Sequence, residues 1–512
     1  MEKIQNFEAP FLGAIDQGTS SSRFIIFDKN GKVVVMAQKE FDQICLQASW
    51  VEHDPMVIVD SVNNCIDEAI DMFIRMGLDI KDLKGVGITN QRETLVAWDK
   101  TTHKPLHNAI VWCDGRTQAL VEKYQDSYNE KELQKLCGLP ISTYFSALKI
   151  RWLIENSEAV KQALDNDNLM VGTIDSWLIY QYSLGDNRKP IHVTDVTNAS
   201  RMCLMNIHTL KWDEKLLEFF QFPQSILPSI LSSSETYCTF GSESKLNGIP
   251  IAGVLGDQQA AFVGQKCFTP GTAKNTYGTG CFMLFNTGEK PTFSSNGLLT
   301  TLGYKFGNQP AVYALEGSVA VAGSAIKWLR DNLNIIQTAP QIGELAKQVE
   351  DTAGVYFVTA FSGLLAPYWR TDARGCILGL TQYATKHHLA RAALEATCFQ
   401  TRAILEAMNK DSQQELTSLM VDGGMTNSDE CMQIQADLLG IPVVRPAMRE
   451  TSALGAAVAA GLALGIYKDL EHLNEVNNFG VNKFEAKIDQ EARDSKFKKW
   501  NQAVEKSYDW AH

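Results

Sequence analysis

A short polar segment near the N-terminus, Asp16-Gln17-Gly18-Thr19-Ser20-Ser21-Ser22-Arg23, has residue types that can bind phosphate. Its small residues let backbone N–H groups approach an anion closely, and its hydroxyls add further donors. Arg23 could contact a phosphate, and the carboxylate of Asp16 could hold part of a Mg²⁺ shell. The segment has no Gly-Lys-Ser/Thr ending and is therefore not a Walker A loop. By its spacing alone, a polar hairpin turn without a ligand is the favoured interpretation.

Two further glycine-containing segments could bind phosphate by the same physics. Gly278-Thr279-Gly280 lies directly before the apolar run Cys281 to Phe285. Asp422-Gly423-Gly424 lies where the apolar run Leu419 to Val421 gives way to a helical pattern, which is a usual ligand position in α/β folds. Taken alone, each segment is more often a plain turn or connection than a ligand site.

Charged residues at two predicted strand ends suit chemistry on a hydroxyl group. Within Asn90-Gln91-Arg92-Glu93, Arg92 and Glu93 could share the hydroxyls of a polyol as donor and acceptor. Asp257 follows the apolar run Ile251 to Leu255 and could act there as a general base. Two alternatives stay open at this point. The Arg-Glu pair could be a solvated surface pair, and the aspartate could cap the following helix.

The elements that would position these residues alternate between strands and helices. Phe11 to Ile15 and Phe24 to Phe27 are apolar runs on either side of the N-terminal polar segment, and Asn30-Gly31 then predicts a hairpin turn. Asp54-Pro55 predicts a helix start, because apolar residues follow near helical spacing from Ile58 to Phe73. Such alternation predicts an α/β architecture.

The pattern of an apolar strand joined to a glycine-containing turn recurs near residue 250. The strand-like run Ile251 to Leu255 is followed by Asn275 to Gly280, whose Gly-Thr-Gly turn joins a further apolar run. We therefore hypothesise two related α/β domains, residues 1–262 and 263–512, which face each other across a ligand cleft. No low-complexity linker separates them, so the boundary near residue 260 is expected to be a hinge within a compact body.

Composition excludes several functional classes. The 512 residues are 45% hydrophobic and 21% charged, which predicts a folded chain of two or more domains. The formal net charge of −12 argues against a nucleic-acid partner, because such binding depends on Lys and Arg. The eleven cysteines lack any Cys-x-x-Cys spacing, so we expect reduced thiols, a cytoplasmic protein and no zinc site. The small-apolar stretch Ala453 to Ile466 is too short to span a bilayer and predicts a buried helix.

Several longer segments, spread between about residue 11 and about residue 508, carry a family resemblance. They are Asp16-Gln17-Gly18-Thr19, Trp50-Val51-Glu52-His53-Asp54-Pro55, Gly87 to Thr94, Asn108 to Trp112, Thr194 to Arg201, Gly256-Asp257-Gln258-Gln259 and Asn275 to Phe282, with two wider signatures at Tyr144 to Asn156 and Gly375 to Glu395. With these segments the chain resembles the FGGY family of carbohydrate kinases, in the actin/hexokinase-like ATPase superfamily, and above all the members that phosphorylate glycerol. Many long matches in the right order are more specific than one motif, so the resemblance reverses the ligand-free interpretations above.

The resemblance implies two related ribonuclease-H-like domains of the actin-like ATPase type, with the ligand cleft between them. It also implies a glycerol pocket in which polar side chains hold the hydroxyls and aromatic rings pack on the carbon side. The polar residues would be Arg92, Glu93, Tyr144, Asp257 and Gln258, and the aromatic residues Trp112 and Phe282. Of these, Asp257 would be the catalytic base.

For the nucleotide, the resemblance implies one set of residues for the phosphates and another in the second domain. The phosphate set is Thr19, Ser20, Ser21 and Arg23, with Asp16 near Mg²⁺; the second set is Thr279, Gly323, Lys327, Gly424 and Ser428. Two positions depart from the family pattern. Lys327 stands where a glutamine is frequent, and Ser428 stands where an asparagine is expected, so base or ribose contacts are expected to differ in detail.

The implied activity is ATP- and Mg²⁺-dependent transfer of a phosphoryl group to glycerol, giving sn-glycerol 3-phosphate for glycerol catabolism and glycerolipid supply. A homo-oligomer, dimer or tetramer, is implied as well. One alternative is a kinase of another small polyol or sugar, which Arg92, Glu93 and Trp112 disfavour because they wall a three-carbon pocket close to the base. Another alternative is a nucleotide-binding protein without catalysis, which the full set of acidic and polyol-binding residues disfavours.

Overall fold

Strands and helices alternate along the chain. The computed structural model describes residues 7–125, 130–184 and 189–511. Its strands, in chain order, are β1 (Phe11–Gln17), β2 (Ser21–Phe27), β3 (Val33–Glu40), β4 (Glu52–His53), β5 (Leu83–Asn90), β6 (Leu95–Asp99), β7 (Ala109–Ile110), β8 (Leu169–Thr173), β9 (Val193–Asp195), β10 (Met205–Asn206), β11 (Lys211–Trp212), β12 (Ser229–Leu231), β13 (Ser234–Thr239), β14 (Pro250–Gly256), β15 (Ala273–Tyr277), β16 (Cys281–Gly288), β17 (Leu299–Tyr304), β18 (Val312–Val319), β19 (Tyr356–Val358), β20 (Cys376–Leu378), β21 (Leu419–Asp422), β22 (Val443–Arg445) and β23 (Asn482–Phe484).

The helices lie between these strands and cover the sheets. In chain order they are α1 (Pro55–Arg75), α2 (Gln118–Gln125), α3 (Glu130–Cys137), α4 (Ser146–Asn156), α5 (Glu158–Asp165), α6 (Ile174–Ser183), α7 (Val196–Ala199), α8 (Glu214–Phe220), α9 (Asp257–Gly264), α10 (Gly323–Asp331), α11 (Gln341–Ala346), α12 (Lys386–Ser412), α13 (Asp429–Leu439), α14 (Thr451–Ala463) and α15 (Gln490–Glu505). The α/β architecture predicted from the alternating pattern is confirmed.

The first large sheet contains six strands of the N-terminal half, in the order β13-β14-β5-β1-β2-β3, and the other strands of that half form small sheets. β1, β2 and β3 form an antiparallel meander, and β5 and β14 run parallel to β1. The turn predicted at Asn30-Gly31 joins β2 to β3, and Gly31 has a positive φ of 78°, which glycine adopts without strain. The predicted helix start is confirmed too, because the side chain of Asp54 caps α1 by accepting from the N–H of Met56 at 2.8 Å.

The second large sheet has the order β17-β18-β16-β15-β21-β22-β23. β15, β16 and β18 form an antiparallel meander, and β21 and β22 run parallel to β15. Five strands of each sheet therefore share one topology, three antiparallel and two parallel. The predicted duplication of an α/β unit is confirmed at the level of topology.

Helix α14 lies between β22 and β23 of the second sheet in the chain but packs against the first sheet. A Cβ on Gly87 of β5 would lie 2.0 Å from the carbonyl oxygen of Ala456, and one on Gly455 would lie 1.9 Å from that of Ala260. The backbones of α14, β5 and α9 therefore touch directly, which only glycine permits. Residues Ala453 to Ala460 are almost wholly buried, so the predicted buried helix is confirmed. None of the helices in the described ranges combines the length and the apolar character needed to cross a bilayer.

The chain passes between the two sheets after α9, before α14 and again between α14 and β23. Asp422, at the end of β21, lies at the first two of these crossings. Its Oδ2 accepts a hydrogen bond from Gln265, just after α9, at 3.0 Å, and another from the hydroxyl of Thr451, the first residue of α14. One carboxylate thus ties both crossings to the second sheet. The division at residue 262 stays a prediction.

Candidate active site

The carboxyl ends of three parallel strands meet at one edge of the first sheet. Gln17 of β1 pairs with Asn90 of β5, and Asn90 pairs with Gly256 of β14. Because side chains that follow aligned strand ends share one edge of a sheet, the N-terminal polar segment, Arg92 and Asp257 come together. This register explains why residues far apart in sequence can form one site.

A cavity of about 420 Å³ lies at this edge, and we call it the acceptor cavity. Its wall includes side chains from both sheets, among them Thr19 from the N-terminal segment and Glu316 from β18. All seven residues predicted to hold the acceptor line it, namely Arg92, Glu93, Trp112, Tyr144, Asp257, Gln258 and Phe282. Whether they contact a substrate stays a prediction.

Four alternating charges form a buried ion cluster behind this cavity, consisting of Arg92, Glu93, Arg201 and Glu316. Glu316 accepts from Nη1 of Arg92 at 2.7 Å and from Nη2 at 3.0 Å, and it also accepts from Arg201 at 3.1 Å. Nε of Arg201 donates to Glu93 at 2.7 Å. Arg92 is 1% exposed and Glu93 is 2% exposed, so the solvated surface pair considered from the sequence is wrong. Although burial raises the pKa of Glu316, the guanidinium groups of Arg201 and Arg92 outweigh it and hold that pKa at about 2.

Asp257 is the first residue of α9, and Gly256 occupies the cap position. The alternative that Asp257 is the cap is therefore wrong, although its Oδ1 accepts from the N–H of Gln258 at 2.8 Å. The same oxygen lies 3.2 Å from Nε of Arg92, without an aligned hydrogen bond. Burial raises the pKa of Asp257 and Glu93 adds to that rise, whereas Arg92 and Lys274 oppose it. A carboxylate with a raised pKa beside a cavity suits a general base.

Gln258, next to Asp257, is held from the second sheet by Lys274 of β15. The ammonium group of Lys274 is fully buried and donates to Oε1 of Gln258, to Oγ1 of Thr276 at 3.0 Å and to the carbonyl of Phe282 at 3.3 Å. Nε2 of Gln258 faces Oδ2 of Asp257 at 3.4 Å. The burial lowers the pKa of Lys274 to about 8, so the group remains charged at neutral pH.

Aromatic rings form the apolar side of the acceptor cavity. The ring of Trp112 meets the ring of Tyr144 edge to face at 5.5 Å between centroids and that of Phe282 at 6.2 Å. Burial raises the pKa of the Tyr144 hydroxyl, so this group remains a hydrogen-bond donor. The cavity consequently has one charged side and one aromatic side.

The N-terminal polar segment forms a tighter turn than its sequence predicts. β1 extends to Gln17 and β2 begins at Ser21, so the turn consists only of Gly18, Thr19 and Ser20. The N–H of Gly18 donates to the carbonyl of Ser21 at 2.9 Å. Thr19 lines the acceptor cavity and accepts from Nε1 of Trp112 at 2.9 Å. Ser20 is exposed and Ser21 is partly exposed. The turn thus places the hydroxyl of Thr19 at the edge where the strands end, whereas the hydroxyl of Ser22 is buried against Ser61 of α1 at 2.8 Å.

Asp16 and Arg23 lie on the two strands beside this turn and are register partners. Nη1 of Arg23 lies 3.4 Å from Oδ2 of Asp16 and 3.5 Å from Oε2 of Glu450, and its Nε donates to Gln38 at 3.0 Å. Arg23 is therefore balanced between two carboxylates. Burial raises the pKa of Asp16 to about 6, and the carboxylates of Glu450 and Asp257 add to this rise. The local surplus of negative charge favours a cation.

A second, larger opening of about 790 Å³ lies in the second half of the molecule, and we call it the nucleotide cleft. Gly278 and Thr279 line both this cleft and the acceptor cavity, so the two spaces meet at the β15–β16 turn. Basic side chains also border it, including Arg330 and Lys347. All five residues predicted for the second half of the nucleotide site line it, namely Thr279, Gly323, Lys327, Gly424 and Ser428.

The family-model matches cover most of the chain. Residues 11–264 match the N-terminal domain of the FGGY family of carbohydrate kinases, and residues 273–464 match its C-terminal domain. The chain belongs to the FGGY family of carbohydrate kinases. The resemblance inferred from the sequence segments and the fold that it implied are confirmed.

Individual FGGY kinases are similar to this chain over nearly its whole length. Glycerol kinase from Leifsonia xyli subsp. xyli is 51% identical over 502 residues, which cover 98% of both chains. A probable glycerol kinase from Dictyostelium discoideum is 49% identical over 542 residues, covering 98% of this chain and 99% of the relative. The crystal structure of Plasmodium falciparum glycerol kinase with ADP superposes with a TM-score of 0.91 and 40% identity, covering 98% of this chain and 99% of that one.

Three charged residues of this FGGY kinase site were not assigned a role from the sequence: Arg201, Lys274 and Glu316. Arg201 and Glu316 join the ion cluster, and Lys274 holds Gln258. A signal was available for two of them, because a single charge inside a strand-like stretch needs a buried partner. Lys274 stands in Ala273–Tyr277 and Glu316 stands in the mostly apolar Val312–Val319. The partners themselves could not be read from one sequence.

Proposed function

We propose that this chain catalyses the ATP-dependent phosphorylation of glycerol, giving sn-glycerol 3-phosphate and ADP. The observation that carries the proposal is a small cavity, charged on one side and aromatic on the other, which meets a larger cleft at Gly278 and Thr279. Glycerol has the same two sides, one of hydroxyls and one of C–H groups. About 50% identity to glycerol kinases over 98% of the chain supports the same acceptor.

The acceptor cavity offers donors and acceptors that suit a triol. Both Nη groups of Arg92 donate to Glu316, while the Nε of Arg92 has no hydrogen-bond partner among the described residues. This Nε, which lies 3.2 Å from Asp257 without an aligned hydrogen bond, is the donor that would hold a substrate hydroxyl, with Glu93 and Tyr144 as further polar contacts. Trp112 and Phe282 would pack on the carbon atoms. A buried polar group left without a partner is costly, so a bound hydroxyl would stabilise the site.

Asp257 is the proposed general base. It would accept the proton of a terminal hydroxyl while the oxygen of that hydroxyl attacks the γ-phosphorus in line, and ADP would leave. Its raised pKa brings its proton affinity closer to that needed at neutral pH. Because the transition state of phosphoryl transfer is loose, positioning and charge stabilisation are the main tasks of the protein.

The phosphates of ATP would be held from both halves. Thr19, Ser20, Ser21 and Arg23 would contact them from the β1–β2 turn, and Thr279 would contact them from the β15–β16 turn, where cavity and cleft meet. The rest of the nucleotide would lie in the nucleotide cleft against Gly323, Lys327, Gly424 and Ser428. With the nucleotide held in this way, the γ-phosphate would face Asp257.

Asp16 fits a Mg²⁺ ion that arrives with the nucleotide. No group of three or more His, Cys, Asp and Glu side chains in the described ranges is arranged to hold a metal ion. Mg²⁺ commonly binds through one or two carboxylates, waters and substrate phosphates, so a single carboxylate suffices. Burial raises the pKa of Asp16 and the carboxylates of Glu450 and Asp257 add to this rise, so a bound cation would offset the cost of ionising Asp16. When bound, Mg²⁺ would neutralise phosphate charge. A cytoplasmic homo-oligomer completes the proposal.

The test is a coupled assay of ADP release by the purified protein with MgATP and a panel of glycerol, dihydroxyacetone and pentuloses. We expect ADP release to depend on glycerol and to be highest for it. Preference for a pentulose would favour another polyol kinase of the family. ADP release that no acceptor stimulates would contradict the proposal. Arg92→Met should raise KM for glycerol at least tenfold with little change in KM for ATP, since a charge-assisted hydrogen bond contributes about 1.5–3 kcal/mol.

A further inference from the structure

Two charged side chains cross from the second sheet to residues of the first half that line the acceptor cavity. Glu316 of β18 and Lys274 of β15 are both fully buried. Each binds a different cavity residue, Arg92 in the first case and Gln258 in the second. These are long-range contacts, since Arg92 and Glu316 are 224 residues apart in the chain.

Glu316 fixes the direction of the Arg92 side chain. Two nearly parallel hydrogen bonds, of 2.7 and 3.0 Å, join the carboxylate to both Nη groups. A guanidinium whose two Nη groups are both bound cannot rotate, so the direction of the remaining N–H group, on Nε, is fixed. That direction brings Nε to 3.2 Å from Asp257, at the edge of the acceptor cavity. Arg201, which bridges Glu316 and Glu93, keeps the second carboxylate in place as well.

Lys274 fixes the amide orientation of Gln258. An ammonium group has three donors and no acceptor, and here all three donors are used. Because Lys274 can only donate, the oxygen of Gln258 must face it. The amide nitrogen then faces Asp257 and the acceptor cavity. A lysine with all its donors satisfied in this way is not available to bind a phosphate.

We propose that Glu316 and Lys274 are positioning residues of the acceptor cavity, which orient Arg92 and Gln258 from the second sheet so that both present donors to the substrate beside Asp257. The inference rests on the proposed function and deepens it. The residues that would contact the acceptor then depend on the second sheet, whose other proposed role is to support the nucleotide. A loss of either residue should weaken the acceptor more than the nucleotide.

The first test compares Lys274→Met with Lys274→Arg in steady-state assays of glycerol and ATP. The methionine variant fills the space but cannot donate, so Gln258 is free to turn its oxygen towards Asp257. We expect KM for glycerol to rise at least tenfold, with KM for ATP within twofold of the wild type. Arginine is again a donor without an acceptor, so Lys274→Arg should recover most of the glycerol affinity.

The second test uses Glu316→Asp, which keeps the charge balance of the ion cluster but withdraws the carboxylate by one methylene. We expect KM for glycerol to rise at least tenfold here too. The control is Glu395→Gln, because Glu395 is also a buried carboxylate between two cations, Arg391 at 3.3 Å and Lys496 at 3.4 Å, but does not line the acceptor cavity. This control removes the charge and is therefore a larger change than Glu316→Asp. Melting temperatures of all variants report whether they fold.

The outcomes separate the two proposals. If the wild type releases ADP with glycerol but Lys274→Met and Glu316→Asp keep KM for glycerol within twofold, the positioning proposal is overturned and the proposed function stands. An equal rise of KM for glycerol and for ATP, or the same effect in Glu395→Gln, would also overturn it, since a general loss of structure would explain both. If the wild type shows no glycerol-dependent ADP release, the proposed function fails and this proposal fails with it.

Discussion

The two large sheets share a topology but present different chemistry at the same edge. At the carboxyl ends of the first sheet lie charged side chains, among them Arg92 and Asp257. At the corresponding edge of the second sheet lie glycines and hydroxyls, such as Gly278, Thr279 and Gly424. The acceptor cavity is therefore lined by charged side chains, whereas the β15–β16 turn and the residues after β21 offer glycines and hydroxyls.

This difference follows from what each ligand needs. A small acceptor has few atoms, so its binding depends on a few strong, directed side-chain contacts and on a base with a shifted pKa. A nucleotide is large and carries its own charge, so it needs room and backbone N–H groups. On the proposed function, one of the two related units thus supplies charge and the other supplies space. Two charged residues of the second sheet, Glu316 and Lys274, point towards the first sheet.

The largest expected effect comes from removing the proposed base from the charged edge. Asp257→Asn keeps the size and the hydrogen bond to the N–H of Gln258 but cannot accept a proton. We expect kcat to fall by roughly 10²-fold or more, the size of a general-base contribution. Coupled ADP release at saturating glycerol and ATP measures it. A kcat close to that of the wild type would show that Asp257 is not the general base.

A smaller effect is expected from adding one methyl group to a glycine of the nucleotide cleft. A Cβ on Gly323 would lie 2.6 Å from the carbonyl oxygen of Gly278, whereas a Cβ on Gly424 would meet no atom within 4 Å. Gly323→Ala should cost about 1–3 kcal/mol through overpacking and raise KM for ATP about tenfold.

Gly424→Ala is the matched variant for this comparison. It should leave the melting temperature unchanged, because the methyl group enters open space, and any rise in KM for ATP would then report contact with the nucleotide. Equal melting temperatures of Gly323→Ala and Gly424→Ala would contradict the close approach of α10 to the β15–β16 turn.

The pH dependence of activity tests how Lys274 of the second sheet affects the pKa of Asp257. The pKa of Asp257 is raised by burial and by Glu93 above the ordinary value of 3.8, so its carboxylate is protonated at higher pH than usual. If Asp257 is the base, activity needs its carboxylate, so kcat/KM for glycerol should be full at neutral pH and fall on acidification at a pH above 3.8. Lys274 opposes the rise in the pKa of Asp257, and Lys274→Met should therefore move this acidic fall in activity to higher pH. A shift in the opposite direction would contradict this interaction.

The smallest effect is expected at a position that departs from the family pattern. Lys327 lines the nucleotide cleft and is exposed, so its contacts are screened by water. Lys327→Gln should change KM for ATP by about threefold or less, the effect of an exposed charge that contributes under 1 kcal/mol. A change of tenfold or more would show that the cation binds the nucleotide directly.

Much of the fold was predictable from local pattern. The hairpin at Asn30-Gly31 and the helix start at Asp54-Pro55 depend on neighbouring residues only, and both are confirmed. The position of Asp257 just after a strand was also readable, because the apolar run Ile251 to Leu255 marks that strand. Such features depend on sequence separations of a few residues.

The pairing of charges was not predictable in the same way. The sequence marks Glu316 as a charge within a mostly apolar strand, but it does not say that Arg92 and Arg201 neutralise it. Those contacts depend on how two sheets are brought face to face. The resemblance to a family supplied the residues that line the cavity, and the structure supplied the side chains that orient them.

Asp422 gives the molecule a mechanical property. Its one carboxylate holds two of the three points where the chain passes between the sheets, near Gln265 and at Thr451. Two connections fixed to one side chain are expected to limit how far the halves can slide past each other. If the cleft opens and closes during the proposed reaction, each closing would then return a bound γ-phosphate to the same place.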